Sequence, residues 1–410
     1  MTVPYLEEAT ETEERAEVVA LSGLLRALED LPEYRALLEH LQGGSRAPKT
    51  ERLIRPARAY LLASLLRHLA RPVLVVVPRP EEARRLLEEI LAWTDAPERV
   101  HFLPDPGVLP FERAPWPLEH RGQRLAALAA LARATETPSA ALVVASVRAL
   151  MHRTMPPREM RLGLRRLRVG QQIRVGEMLE RWVAWGYRPV EVVEEPGTFS
   201  RRGGIVDCYP PNAAQPVRIE LFGNQVDSLR RFDPSTQRTV ARVDEVWIGP
   251  ASEALPRFGP AAAEALAHLD LEGCHPMAES QFRQDLERLR EGAAFPGMEL
   301  YIPYFYQVET SALDYLPREG ALVVHDPMDV ERAMAEALSQ AEDLRRELVS
   351  AGDLPEGFAS PYVDATAFLQ RLKDGARLLL SSAEEPPAPG ELGYRFHLAG
   401  RYGGQLKKVA

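Results

Sequence analysis

GYRPVEVVEEPGTFSRRGGIVDCYPPNAAQPVRIELFGNQVDSLRRFDPSTQRTV, residues 186–240, is the stretch from which fold and function are read. Val217, Ile219 and Leu221 alternate with Arg218 and Glu220, the period of a half-buried strand. Gly223-Asn224 follows, two residues that tolerate positive φ, as a tight hairpin turn requires. Val226 and the run from Leu229 to Phe232 return as a second strand. Ile205–Tyr209 reads as another, stopped by Pro210-Pro211, with Gly203-Gly204 before it as a bulge or bend. Upstream, residues 177–185 read as a short helix with Trp182 and Trp185 on one side. The sum is a small α+β module. Arg188, Arg201, Arg202, Arg218, Arg230 and Arg231 stud its strands. The plain alternative to a binding face is the solvated sheet of an arginine-rich protein.

The chain on either side has a different rhythm. Residues 57–69 read as helix, 72–77 as a buried strand and 80–93 as helix. Residues 100–103 then read as strand, 118–134 as helix and 141–145 as buried strand. After the module, 321–325 reads as strand, 328–350 as a long helix, 365–372 as helix and 376–380 as strand. Strands alternating with helices of ten residues or more predict a parallel sheet. The simplest architecture is one α/β domain interrupted by the arginine module. Residues 1–15 are acidic and predicted to be disordered, and AEEPPAPGE at 383–391 is linker-like.

Composition bounds the function. The chain has 410 residues, 45% apolar, enough for two or three domains with buried cores. A net charge of −9 argues against a generic nucleic-acid binder, so any basic footprint must be local. Lys49, Lys373, Lys407 and Lys408 are the only lysines, so arginine carries nearly all the positive charge. Cys208 and Cys274 are too few and too far apart for a disulfide framework or a metal site, and the histidines are scattered. With no signal peptide and no 18-residue apolar run, a cytoplasmic protein with no membrane association is expected.

Pro196-Gly197-x-Phe199-x-x-Arg202-Gly203-Gly204, Asp207 and Pro210, Arg218-x-Glu220-Leu-Phe222-Gly223, and Phe232-Asp233-Pro234-x-Thr236-Gln237-Arg238 carry a resemblance. Together they resemble domain 2 of the bacterial transcription-repair coupling factors (Mfd), homologous to a domain of the excision-repair protein UvrB. The flanks agree. Residues 71–76, Leu109-Pro110-Phe111-Glu112-Arg113 and 144–150 resemble that family's first domain, and Leu300-Tyr301-Ile302-Pro303 with 311–317 its continuation. The resemblance covers roughly 40–400 and implies a helicase-like (RecA-type, degenerate) α/β fold. The implied division is a disordered 1–20, domain 1a at 21–153, domain 2 at 154–248, domain 1b at 249–382 and a linker-like tail at 383–410. It implies UvrA as partner, with Arg188 and Arg202 matching the UvrA-contacting arginines. Phe199 and Arg201 stand beside them in the same motif. Ser200 stands where UvrB has a further arginine. In the full-length family member, RNA polymerase and double-stranded DNA are implied partners, and an ATP-dependent translocase motor is implied as well. This chain carries neither the polymerase-binding nor the motor motifs and is expected to be part of a longer protein.

A helicase-like domain should hold nucleotide on a glycine-rich loop between a strand and a helix. GGSRAPKT at 43–50 is a near miss, with Pro48 in place of the last glycine and no N–H there for a phosphate. By resemblance the loop falls nearer LIRPAR at 53–58, which has no glycine. No catalytic residue and no cofactor are therefore expected. The UvrB-type aromatic hairpin is also absent: residues 104–119 hold only Phe111 and Trp116, too few to stack bases. The leading expectation is a non-catalytic module that recruits UvrA. The alternative is a nucleotide-dependent, DNA-binding helicase-type domain with a non-standard phosphate site.

Overall fold

The computed structural model describes residues 21–43, 47–134, 140–382 and 387–397. The acidic segment 1–20, residues 44–46 of the near-miss loop, and 383–386 and 398–410 of the tail lie outside the described residues.

A six-stranded, all-parallel sheet forms the body. Its strands are β1 (Lys49–Arg52), β2 (Val73–Val77), β3 (Val100–Leu103), β4 (Leu142–Ser146), β13 (Ala321–His325) and β14 (Ala376–Ser381). The spatial order is β1-β14-β13-β2-β4-β3. The two strands that follow the module are thus wedged between strands that precede it. Helices cover both faces, so the central strands read as unbroken apolar runs such as VLVVV in β2. Their side chains divide by alternation. Val73, Val75 and Val77 pack under helices α1 (Pro32–Gln42), α2 (Arg55–His68) and α3 (Pro80–Trp93). Leu74 and Val76 face α4 (Leu118–Arg133) and the helices after the module. β1 escapes a hydrophobic reading because KTER is an edge strand, paired only with β14.

The segment after β14, read as linker-like, docks back onto this edge. Leu392 is fully buried, its N–H donates to Glu51 at 2.8 Å, and Arg52 pairs with Glu391.

The module is a second sheet, order β11-β10-β9-β8-β7-β6, comprising β6 (Arg188–Pro189), β7 (Thr198–Arg202), β8 (Ile205–Tyr209), β9 (Val217–Phe222), β10 (Gln225–Phe232) and β11 (Thr239–Val243). It is antiparallel except for the β6–β7 pair. A two-stranded ribbon, β5 (Arg165–Arg168) with β12 (Glu245–Ile248), connects it to the body. Helix α5 (Val175–Ala184) closes the inner face.

Two sequence expectations change here. Gly203-Gly204 is neither bulge nor bend: Arg202 pairs with Ile205, so the two glycines are a complete hairpin turn. Gly203 has φ +62°, as does Gly223 in the next hairpin. A positive φ on the first turn residue is the type II′ pattern, which follows the strands' own twist. Trp182 and Trp185 do not share a side. Trp182 packs in the module core, while Trp185, past the end of α5, packs in the core of the body. Among the described residues no helix is long and apolar enough to cross a membrane.

Candidate partner-binding face

Alternation along β7–β10 sorts the module's side chains. Phe199, Val206, Cys208, Val217, Ile219, Val226 and Leu229 point inward to the core. Ser200, Arg202, Ile205, Asp207, Arg218, Glu220, Phe222, Ser228 and Arg230 share the outer face, by register and by the period of two.

On that face Asp207 is the organising group, 1% exposed. Arg218 grips it bidentately, Nε to Oδ1 at 2.7 Å and Nη2 to Oδ2 at 2.8 Å. Arg202 Nη2 donates to Oδ2 at 3.1 Å. Its own bonds to Asp207 hold the Arg218 guanidinium above its ordinary pKa, because they favour the charged form. The Arg218 guanidinium also lies 4.7 Å from the Phe232 ring centroid. A second carboxylate, Glu220, accepts from Arg230 at 2.9 Å and from Ser228. The arginines are thus fixed rather than free: two carboxylates of the sheet hold their forks in place. Arg202 is held at one Nη and otherwise open to solvent.

Phe222 is 82% exposed, at the tip of β9 beside the hairpin turn. Ile205, also exposed, pairs with Glu220 on the same face. Both hairpin turns sit at this end of the sheet, so Arg202, Ile205 and Phe222 form an apolar patch beside a cation. Alternation from Val217 through Leu221 was sufficient to place Phe222 outward; the signal lay one residue beyond where the sequence reading stopped.

The four residues singled out from sequence fall in different places. Arg202 is on the outer face. Arg201, its neighbour, is exposed but on the opposite side of β7. Arg188 lies on the edge strand β6, exposed, with Glu195 at 3.4 Å and its N–H bonded to Gly197 O. Phe199 is 5% exposed and packs edge-on to Trp182, ring centroids 5.6 Å apart. It supports the strand from beneath. Ser200 is buried and donates to Glu191 O at 2.9 Å.

The carboxyl edge of the parallel sheet is where such folds take ligands. Between β1 and α2 there are only two residues, Leu53 and Ile54. Lys49 and Thr50 of the near-miss motif are inside β1, with Lys49 paired to Glu51 at 3.1 Å. Arg58 fills the first turn of α2, buried. It donates to Asp326 Oδ2 at 2.8 Å, to Asp326 Oδ1 at 3.0 Å and to Ser382 Oγ at 3.0 Å. Asp326 follows β13 with φ +42°, a left-handed conformation uncommon outside glycine. Burial alone would raise its pKa, but the Arg58 bonds hold it below the usual carboxylate value. Phe111 and Trp116 are buried, Trp116 edge-on to His152. Among the described residues no group of three or more His, Cys, Asp or Glu could hold a metal ion.

Residues 166–253 match the UvrB interaction domain. A transcription-repair-coupling factor of Myxococcus xanthus is 31% identical over 377 residues, covering 86% of this chain and 30% of that protein. The Bacillus subtilis (strain 168) protein of the same name is 28% identical over 77% of this chain and 27% of its own length. That of Mycobacterium bovis is 31% identical over 78% and 26%. The chain therefore spans less than a third of the length of these relatives. Over most of its length the chain is similar to one part of the transcription-repair-coupling factors, and the stretch matching the UvrB interaction domain is the arginine-bearing module.

Proposed function

We propose that this chain is a non-catalytic recruitment module that docks UvrA in transcription-coupled nucleotide excision repair. The outer face of the module is the docking surface. The observation that carries the reading is Phe222, almost fully exposed beside an arginine ladder locked by Asp207. Interfaces concentrate binding energy in such aromatic and arginine anchors. Arginine also pairs bidentately with carboxylates and is less strongly hydrated than an ammonium. Arg188 and Arg202 are the direct contacts of this surface and Phe199 is its support beneath β7, while Arg201, on the opposite side of β7, is left out of it. In the whole protein, contacts to RNA polymerase and double-stranded DNA fall to other regions.

Titrating purified UvrA against the chain and its Arg188→Ala/Arg202→Ala variant tests this. The double variant is expected to lose about 2 kcal/mol or more, roughly thirtyfold in Kd. The reading is wrong if the parent chain does not bind UvrA, or if the folded variant binds equally well. Phe222→Ala in the same titration separates the apolar anchor from the charges.

The non-catalytic part of the proposal is supported by Arg58, whose guanidinium occupies the crevice and ties α2 to the ends of β13 and β14. A ligand at 100 times its Kd would add about 2.7 kcal/mol to stability. Saturating ATP with magnesium is expected to leave the melting temperature unchanged; a clear upward shift would restore the nucleotide-dependent reading.

A further inference from the structure

One row of side chains across the module is cationic at its open end. By register, Ser200, Asp207, Arg218, Arg230 and Arg242 stand directly opposite one another on β7, β8, β9, β10 and β11. Arg242 shares the outer face with Arg230, because the next residue, Val243, packs against the module core. Three arginines thus lie side by side on adjacent strands, about 5 Å apart at the backbone. Like charges directly opposite in a sheet are destabilising. The fold offsets the first two. Arg218 is gripped by Asp207, and Arg230 donates to Glu220 at 2.9 Å. Glu220 takes one Nη of Arg230 and leaves its Nε buried without a hydrogen-bond partner. Arg242 is exposed and has no ion pair among the described residues.

The place is open as well as charged. β11 ends the sheet order, pairs only with β10, and none of its residues is buried. Arg202 lies four strands away on β7, about 19 Å at the ordinary strand spacing. An interface of ordinary size covers about 800 Å² on each partner, about 28 Å across, so one partner can cover both ends of the face. The fitting anion is a carboxylate rather than a run of phosphates. Asp207 and Glu220 lie in the same surface and would repel a polyanion, whereas a single acidic side chain needs only the gap between two guanidiniums. Arginine forks match that group in geometry.

We propose that Arg230 and Arg242 form a second anchor of the docking face, which takes a carboxylate of the docked UvrA between the two guanidiniums. The proposal rests on the reading of the outer face as the UvrA surface and extends that surface to the β10–β11 corner. Asp207 answers Arg218, Glu220 answers Arg230, and the partner's carboxylate answers Arg242.

Titration of UvrA against the chain and its Arg242→Ala, Arg242→Glu and Arg201→Glu variants, with a thermal melt of each, tests the proposal. Arg242→Ala is expected to weaken binding roughly tenfold and Arg242→Glu roughly a hundredfold, the reversed charge adding repulsion to the lost pair. Arg242→Glu should melt no lower than the parent, since it turns a like-charge pair with Arg230 into an opposite-charge pair. Binding lost at undiminished stability marks a docking residue and not a structural one. Arg201→Glu makes the same charge change on the opposite side of β7 and should bind within about twofold of the parent. Equal losses from Arg201→Glu and Arg242→Glu would reduce the effect to net charge and overturn the anchor. So would Arg242 variants that bind like the parent while Arg188→Ala/Arg202→Ala loses binding, a result that leaves the docking reading standing. A parent chain that does not bind UvrA removes both. Binding of a short DNA duplex that Arg242→Glu abolishes, with UvrA binding unchanged, would give the corner to phosphate and overturn the proposal.

Discussion

Glu253→Ala is expected to destabilise the protein by about 3–5 kcal/mol, the cost of leaving a buried partner charge uncompensated. Glu253 and Arg124 are both fully buried, joined by Nε to Oε1 at 2.6 Å and Nη2 to Oε2 at 2.9 Å. Arg124 also donates to Pro104 O at 2.9 Å and lies 5.2 Å from the Trp116 ring centroid. Thr154 donates its hydroxyl to the same carboxylate. The position explains the weight of this pair. Thr154 lies on the path into the module and Glu253 on the path out, and Arg124 belongs to α4 of the body. One guanidinium therefore holds both connections. Urea unfolding of the single variant and of Arg124→Met/Glu253→Leu gives the check. The double variant should recover most of the loss, since apolar groups of similar volume often replace a buried pair without penalty. A single-variant loss below about 1 kcal/mol, the range of an exposed pair, would show the junction to be solvated.

Acid is expected to act more strongly still. Burial pushes the imidazole of His325 down to about 3, helped by the nearby Arg58 guanidinium. Burial likewise lowers His101 and His152 to about 4, with Arg133 and Arg124 as the second causes. Each is neutral in the fold but free to protonate in the unfolded chain. Unfolding therefore takes up protons below about pH 6.5, the ordinary histidine value. Stability is whole above that pH. It falls as pH drops and levels off only once the folded pKa values are reached, near 4 and then 3. At pH 5 each group contributes about 2 kcal/mol of loss, about 6 together, against the 5–15 typical of folded proteins. Asp326, held below the usual carboxylate range chiefly by its hydrogen bonds to Arg58 against the opposing effect of burial, adds its share only below about pH 4. Melting temperatures from pH 7.5 to 5 test this, and a flat profile would refute it.

The body was legible in the sequence wherever strands are buried on both faces. Val73–Val77, Leu142–Ser146 and Ala321–His325 are buried throughout and apolar but for Ser146 and His325 at their ends, as a doubly covered parallel strand requires. β1 was not legible, because an edge strand needs no apolar run. The Gly203-Gly204 turn was ambiguous because paired glycines serve bulges and hairpins alike; the pairing of Arg202 with Ile205 decides it. On the candidate face the sequence supplied the arginines but not their grouping. Arg201 and Arg202 are neighbours in the chain and lie on opposite sides of one strand. Arg202 and Arg218 are sixteen positions apart and meet on one carboxylate. Asp207, quoted from the sequence only among the residues that carry the resemblance, is the group that gathers them.

The strand order β1-β14-β13-β2-β4-β3 has a consequence for how the chain is made. The ribosome releases β2, β3 and β4 long before β13 and β14, with the whole module in between. At translation rates of about 5–20 residues per second, that interval is on the order of ten seconds or more. Until it ends, β2 is an open edge of a half-built sheet, and β1 has no neighbour at all. The module, contiguous in sequence, can close its own sheet within that time. The nascent body must wait with a bare apolar strand exposed, the state that chaperones hold and that edge-to-edge aggregation exploits.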